Sequence, residues 1–277
     1  MDQTRKISVI MGVYNCADYI SEAIESIINQ TYTNWELIIC DDCSNDNTYQ
    51  IAKSYADKYK NKIILIRNDK NSYLSYSLNH CLKYATGYYV ARMDGDDISV
   101  PERFEKEVKF LVDNPDVDMV GSEMQHFNED GLADIVRVPY KPDKYILKKR
   151  QPFMHATIMT YKRVYDALGG YKVSELTRRS QDLELWFRFY DKGFVADNIH
   201  EPLYLMRENM NAVKRRTFKV RWNAFKIEMN GYKLLKFPKM WLIKPFFVMI
   251  LKSLVPSKVQ YMHRKYQQNR YMKENNE

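Results

Sequence analysis

A chain of 277 residues with 45% apolar content is long enough for one substantial core, and 14% aromatic residues exclude a disordered or low-complexity polypeptide. The net charge of +8 resembles a nucleic-acid signal, but residues 212–277 hold 16 Lys or Arg against 3 Glu, which leaves residues 1–211 net acidic. An acidic body with a basic tail points to a polyanionic surface met by the tail alone, a membrane as readily as nucleic acid.

Residues 7–11 (ISVIM) form a short apolar run ended by Gly12, the pattern of a strand buried on both faces. Ile20, Ala23, Ile24, Ile27 and Ile28 then recur at helical spacing, with Asp18, Glu22 and Glu25 among them toward the end where the helix dipole favours acids. Residues 36–40 (ELIIC) predict a second strand, 48–59 a helix, 62–66 (KIILI) a third strand, 75–84 a helix and 88–93 (YYVARM) a fourth strand. After Pro101 the pattern predicts a helix to about residue 113, a strand over 118–127 and a loop over 128–149. A short helix over 163–168 is closed by Gly169-Gly170, and an amphipathic helix over 181–192, with Leu183, Trp186, Phe187 and Tyr190 on its buried face, is stopped by Gly193. Strands alternating with helices predict an α/β fold with right-handed crossovers and a mostly parallel sheet. No repeat or low-complexity linker interrupts residues 1–211, which are expected to form one domain, followed by a basic, aromatic-rich helical region over 212–277.

The cysteines are Cys16, Cys40, Cys43 and Cys81, and the N-terminal segment has no apolar run of the secretory kind, so a reducing cytoplasm is expected. Cys40 and Cys43 form a CxxC, but no second pair completes a zinc site and the two intervening Asp oppose thiolate formation.

Parallel sheets bind ligands beyond the carboxyl ends of their strands, and there this chain gathers Tyr14-Asn15, Asp41-Asp42 and Asp94-Gly95-Asp96-Asp97. In ARMDGDDISVPERF (91–104) an apolar strand ends in Asp-x-Asp. Two carboxylates on such a turn reach one hard cation that also bridges phosphate oxygens, although an acidic surface turn gives the same pattern. No glycine-rich loop follows the first strand, which disfavours dinucleotide oxidoreductases and P-loop NTPases. A nucleotidyltransferase should also carry glycines and a basic residue there.

SVIMGVYN (8–15), ELIICDDCSNDNT (36–48), GYYVARMDGDDISVPERF (87–104) and SQDLELWFR (180–188) resemble, in order, the motifs of family 2 glycosyltransferases of the GT-A fold. HATIMTYKRVYDALGGY (155–171) is similar to that family's middle region, and the resemblance runs over about residues 7–207. It implies a GT-A (Rossmann-like) sheet flanked by helices. It also implies inverting transfer of a sugar from a UDP-sugar, or another nucleotide diphosphate sugar, to a hydroxyl of a glycan or lipid-linked saccharide in surface polysaccharide biosynthesis, with no nucleic-acid partner. By the same resemblance Val13, Tyr14, Asn15 and Asn71 line the nucleotide pocket, and Asp42 accepts a hydrogen bond from uracil. Arg92, Met93, Asp94 and Gly95 flank the ribose and donor sugar, and Asp96, with Asp94, is the ligand to Mn2+ or Mg2+. Asp182 matches the catalytic base, and His155 and Gln181 fall on the acceptor side.

Asp182 also has a reason independent of the family, because inversion needs a carboxylate to take the acceptor hydroxyl's proton. The plainer reading is a first-turn acid that contributes roughly 0.3–1 kcal/mol through the helix dipole. Arg92 fits donor contact and a structural ion pair equally, while Arg178, Arg179 and Arg207 fit contact with phosphate or acceptor groups, with solvated faces the safer reading. Tyr73 departs from the family, whose members commonly carry a small residue, often Gly, at this place.

Residues 241–256 (WLIKPFFVMILKSLVP) are apolar but fall short of the ~20 residues of a spanning helix. With Lys244, Lys252, Trp241, Phe246, Phe247 and Tyr261 they suit a segment lying in an anionic lipid interface on the cytoplasmic face of the membrane. Packing on the body or on a second subunit of a homo-oligomer is the alternative. A nucleotidyltransferase acting on a sugar phosphate, or a basic scaffold protein, are the competing functions, and the first of these releases pyrophosphate in place of nucleoside diphosphate.

Overall fold

Strands β1 (Ile7–Val13), β2 (Trp35–Asp41), β3 (Ile63–Arg67) and β4 (Tyr89–Asp94) pair in parallel in the order β3-β2-β1-β4. The computed structural model describes residues 4–129, 131–208 and 217–255, with residues 259 and 262. The unbroken apolar runs of β1 and β2 are explained by helices α1 (Ile20–Ile28), α2 (Thr48–Lys58) and α3 (Tyr73–Leu82), which cover the sheet and leave Ile10, Leu37, Ile38 and Ile39 with no solvent contact. Each crossover returns the chain so that the carboxyl ends of β1, β2 and β4 share one edge: Gly12 pairs with Asp94, and Val13 with Asp41.

Past β4 the sheet becomes mixed. β5 (Ile98–Ser99), β6 (Met119–Asn128), β7 (Gly131–Val136), β8 (Met159–Tyr161) and β9 (Ala196–Arg207) extend it in the order β4-β8-β6-β9-β5, with β7 antiparallel to β6 and helix α4 (Arg103–Asp113) between β5 and β6 in the chain. Two expectations are corrected by these strands. The stretch 128–149, read as loop, contains β7 and a 3-10 turn at Lys144–Lys148. β9 had no predicted counterpart, because His200-Glu201-Pro202 divides it; register shifts opposite Ser122, Glu123 and Met124 absorb the interruption.

α5 (Lys162–Leu168) ends at Gly169, whose φ of 68° supplies the left-handed cap that the Gly-Gly pair announced. α6 (Gln181–Asp191) turns Leu183, Trp186 and Phe187 into the core as its spacing predicts. α7 (Phe218–Leu234) lies against α6, with Phe187 and Tyr232 rings 6.0 Å apart and Ile227, Gly231 and Tyr232 buried. α8 (Ile243–Leu254) buries only Met249 and exposes Ile243, Phe247, Leu251 and Leu254. Among the described residues no helix is long and apolar enough to cross a membrane. Tyr261 and the cations at 214–216, 258 and 263–277 lie outside the described residues.

Candidate active site

One wall of the candidate site begins where β1 and β2 end. The backbone N–H of Asp42 donates to the Val13 carbonyl at 2.8 Å, and the turn after β1 is tied to the turn after β2 by Asn15 N–H to Ser44 Oγ at 3.0 Å and Asn45 N–H to Asn15 Oδ1 at 2.9 Å. Asn15 takes a φ of 50°, which an Asn tolerates, and Tyr14 stands exposed beside it. The buried Asp42 carboxylate accepts from Asn68 Nδ2 at 2.7 Å and from the backbone N–H groups of Ser72 and Tyr73 at 2.8 and 2.7 Å. Asp42 therefore shapes the loop that closes this wall. Asn71, on that loop, has a buried Oδ1 with no partner among the described residues, an acceptor open to a ligand N–H.

Tyr73 occupies a φ of 66°, where glycine is the natural choice. A left-handed residue with a Cβ costs roughly 1–2 kcal/mol, which the two N–H bonds to Asp42 offset. The Tyr73 ring is exposed and lies under the guanidinium of Arg178, which also bonds its hydroxyl.

The acidic turn follows β4. Gly95 has no room for a side chain, since a Cβ there would stand 2.6 Å from Val13 Cγ1 and 3.1 Å from Cys16 Sγ. Val13 and Met93 belong to the buried core beneath this turn, so what they offer a donor is shape. Arg92, only 4% exposed, makes a two-pronged pair with Asp94, one arm at 2.8 Å. Burial works against its charge, but the Asp94 carboxylate beside it holds its pKa above the ordinary arginine value. Asp96 is pushed up to about 6 by burial and by the charge of Asp94. Asp97 is raised well above the carboxylate range for the same two reasons and is enclosed by protein: it accepts from Tyr204 Oη at 2.9 Å and from Arg207 N–H at 2.8 Å. Tyr204 in turn accepts from the Asp94 N–H at 3.1 Å, and Arg207 Nε donates to the Asp96 carbonyl at 3.1 Å. Of the three acids, Asp96 is the one that neither an arginine nor a tyrosine takes up.

Asp182 lies in the first turn of α6, half-buried, with Gln181 before it. Burial raises its pKa, opposed by the N–H of Leu183 and by the charge of Arg92. Among the described residues its carboxylate makes no ion pair and no hydrogen bond to another side chain. His155 bonds Tyr171 Oη at 2.9 Å, and Tyr171 bonds Tyr165 Oη at 2.7 Å. Burial, with the repulsion of Arg92, holds the imidazole well below its usual range and therefore neutral. The buried Arg92 thus pairs with Asp94 at the head of the acidic turn, and its charge favours the ionised forms of Asp96 and Asp182 and the neutral form of His155.

Sequence reasoning missed Tyr204, and it placed Arg207 on a solvated face. Both reach the acidic turn from β9, a strand hidden by Pro202, whose short apolar run over residues 203–206 carries no alternation to mark it. Cys40 and Cys43 are free, the thiol of Cys40 donating to Asn68 Oδ1 and that of Cys43 to the Asp69 carbonyl. His126, Asp134 and Glu208 form a separate group able to hold a cation on the β6–β7–β9 ribbon, their ligand atoms within 4.8 Å of one another.

Comparison with known proteins gives the family of the chain. The chain is 42% identical over 268 residues to the protein named as glycosyltransferase EpsE in Bacillus subtilis, covering 96% of this chain and 95% of that one. It is 37% identical over 108 residues, 39% of this chain and 42% of the relative, to the Escherichia coli UDP-Glc:alpha-D-GlcNAc-diphosphoundecaprenol beta-1,3-glucosyltransferase WfgD. The fold matches that of mannosyltransferase PcManGT from Pyrobaculum calidifontis, solved with GDP-Man and Mn2+, at a TM-score of 0.62 and 17% identity, over 96% of this chain and 81% of that one. Residues 8–168 match Glycosyl transferase family 2, and the chain belongs to that family.

Proposed function

We propose that this protein transfers a sugar, with inversion, from a UDP-sugar to a hydroxyl of a saccharide carried on a lipid diphosphate, in the assembly of a surface polysaccharide. The observation that carries this reading is the acidic turn at the carboxyl end of β4, where Asp94 is paired with the buried Arg92 and Asp97 is enclosed by Tyr204 and Arg207 while the Asp96 carboxylate is taken up by none of them. WfgD, a UDP-Glc enzyme acting on a diphosphoundecaprenol-linked sugar, supports the choice of donor and acceptor.

A divalent cation fits the acidic turn. Its ligands are hard oxygens suited to Mn2+ or Mg2+, and the Asp96 carboxyl, raised first by burial and then by the charge of Asp94, is one whose ionised form a cation would stabilise. Asp96, with Asp94, would hold it, and when bound it would neutralise the diphosphate of the leaving nucleotide. Tyr14, Asn15 and the unpartnered Asn71 Oδ1 face the nucleotide, in a pocket whose loop Asp42 fixes. Asp182 takes the proton of the acceptor hydroxyl as that oxygen attacks the anomeric carbon and the bond to the nucleoside diphosphate breaks. Burial makes the ionised Asp182 a stronger base than a solvated carboxylate, and the buried Arg92 keeps the ionised form accessible. Gln181 and the neutral His155 lie on the acceptor side. The exposed apolar face of α8, with Lys244 and Lys252, would rest on anionic lipid at the cytoplasmic face and keep the enzyme near a lipid-linked acceptor.

A panel of nucleotide sugars incubated with the protein and Mn2+ tests the reaction class. Release of nucleoside diphosphate is expected. Release of pyrophosphate in a parallel incubation with a nucleoside triphosphate and a sugar 1-phosphate, with no nucleoside diphosphate released from the panel, would make the chain a nucleotidyltransferase.

A further inference from the structure

The loop leading into α6 carries Arg178, Arg179 and Ser180, and with the first turns of α7 it encloses a cleft of about 240 Å³. Thr217, Lys219 and Asn223 form the α7 wall. Pockets for whole small molecules run to roughly 300–1,000 Å³, so this cleft suits one compact group. Cationic side chains beside hydroxyl and amide donors match phosphate oxygens.

A carboxylate already marks the place of an anion. Glu175 lines the same cleft, pairs with Lys219 at 2.8 Å and stands 3.7 Å from Arg178, yet it is 61% exposed. Exposed pairs of this kind hold structure together weakly, so an incoming anion of higher charge can displace it. Ser180 precedes Asp182 by two residues, which keeps the cleft within about 7 Å of chain from the base. Arg178 also reaches out of the cleft to Tyr73, on the loop that Asp42 holds.

We propose that this cleft binds the diphosphate of a diphosphate-linked saccharide acceptor and thereby presents the attached sugar to Asp182. The inference rests on the reading of Asp182 as the base. A sugar joined directly to a diphosphate has its hydroxyls about one ring's width from the phosphates, which matches the short separation of cleft and carboxylate. The phosphates of such an acceptor, rather than its sugar hydroxyls, are the groups able to take Lys219 and Arg178 from Glu175. The donor's own diphosphate is the other source of the same chemistry.

Calorimetric titration of inorganic pyrophosphate into the full chain, with EDTA present to remove metal-held phosphate at the acidic turn, reads the cleft directly. Wild type is expected to bind, Lys219→Ala to bind roughly three- to tenfold more weakly, and Glu175→Gln to bind more tightly because a competing carboxylate is gone. No binding by wild type, or affinity that neither substitution moves, overturns the inference. The source is then settled by transfer kinetics on a short-prenyl diphosphate-linked saccharide. Lys219→Ala should raise the acceptor KM by a similar factor without raising the donor KM, whereas a rise in the donor KM alone overturns the assignment to the acceptor. Pyrophosphate binding needs no turnover, so a protein that binds it as described but transfers no sugar counts against the role of Asp182 and not against the cleft.

Discussion

Arg92 sets how much negative charge the site holds at rest: Asp94 is paired with it, Asp97 is enclosed by Tyr204 and Arg207, and Asp96 is left with a pKa of about 6. Asp96→Ala is therefore expected to abolish the response to divalent metal together with turnover, read by titrating Mn2+ against wild type and variant. An unchanged metal response and rate would remove Asp96 from the metal site. Asp94, Asp96 and Asp182 could be picked out in the sequence because each belongs to a short motif whose charge serves no core. Tyr204 could not, being one of 22 tyrosines on a strand that Pro202 disguises. The outward turn of Tyr73 follows from its φ of 66°, and a backbone angle is written nowhere in the residue type.

At the scale of elements, α6 carries Asp182 on one end and packs α7 along its side. Gly231 makes the packing close, since a Cβ there would fall 2.2 Å from the Phe187 ring. Gly231→Ala should therefore lower stability by roughly 1–3 kcal/mol despite the better helix propensity of alanine, with the loss read by urea denaturation. A variant as stable as wild type would show that α7 is loosely held. The strands and helices of the first half were legible because burial on both faces writes continuous apolar runs, and helices over a sheet write a clear stripe. The contact of α7 with α6 was not, because the cations of the tail dominate its composition while Ile227, Gly231 and Tyr232 supply the buried face.

Across the whole molecule, the basic C-terminal region ends in α8, whose exposed apolar face is the surface proposed to hold the enzyme near lipid. Co-sedimentation with anionic vesicles is expected for the full chain, weakening with salt, and Phe247→Glu with Leu251→Glu should abolish it, because both side chains are about 60% exposed on α8. Equal sedimentation of the double variant would place the apolar face against protein instead. Sugar transfer by Asp182 is the claim on which the rest depends, and it is tested by measuring UDP affinity and transfer on the same Asp182→Asn protein. The amide keeps the shape but accepts no proton, so UDP should bind nearly as before while transfer falls by about 10²–10⁴. Unchanged transfer, or UDP affinity lost in a folded variant, would contradict it.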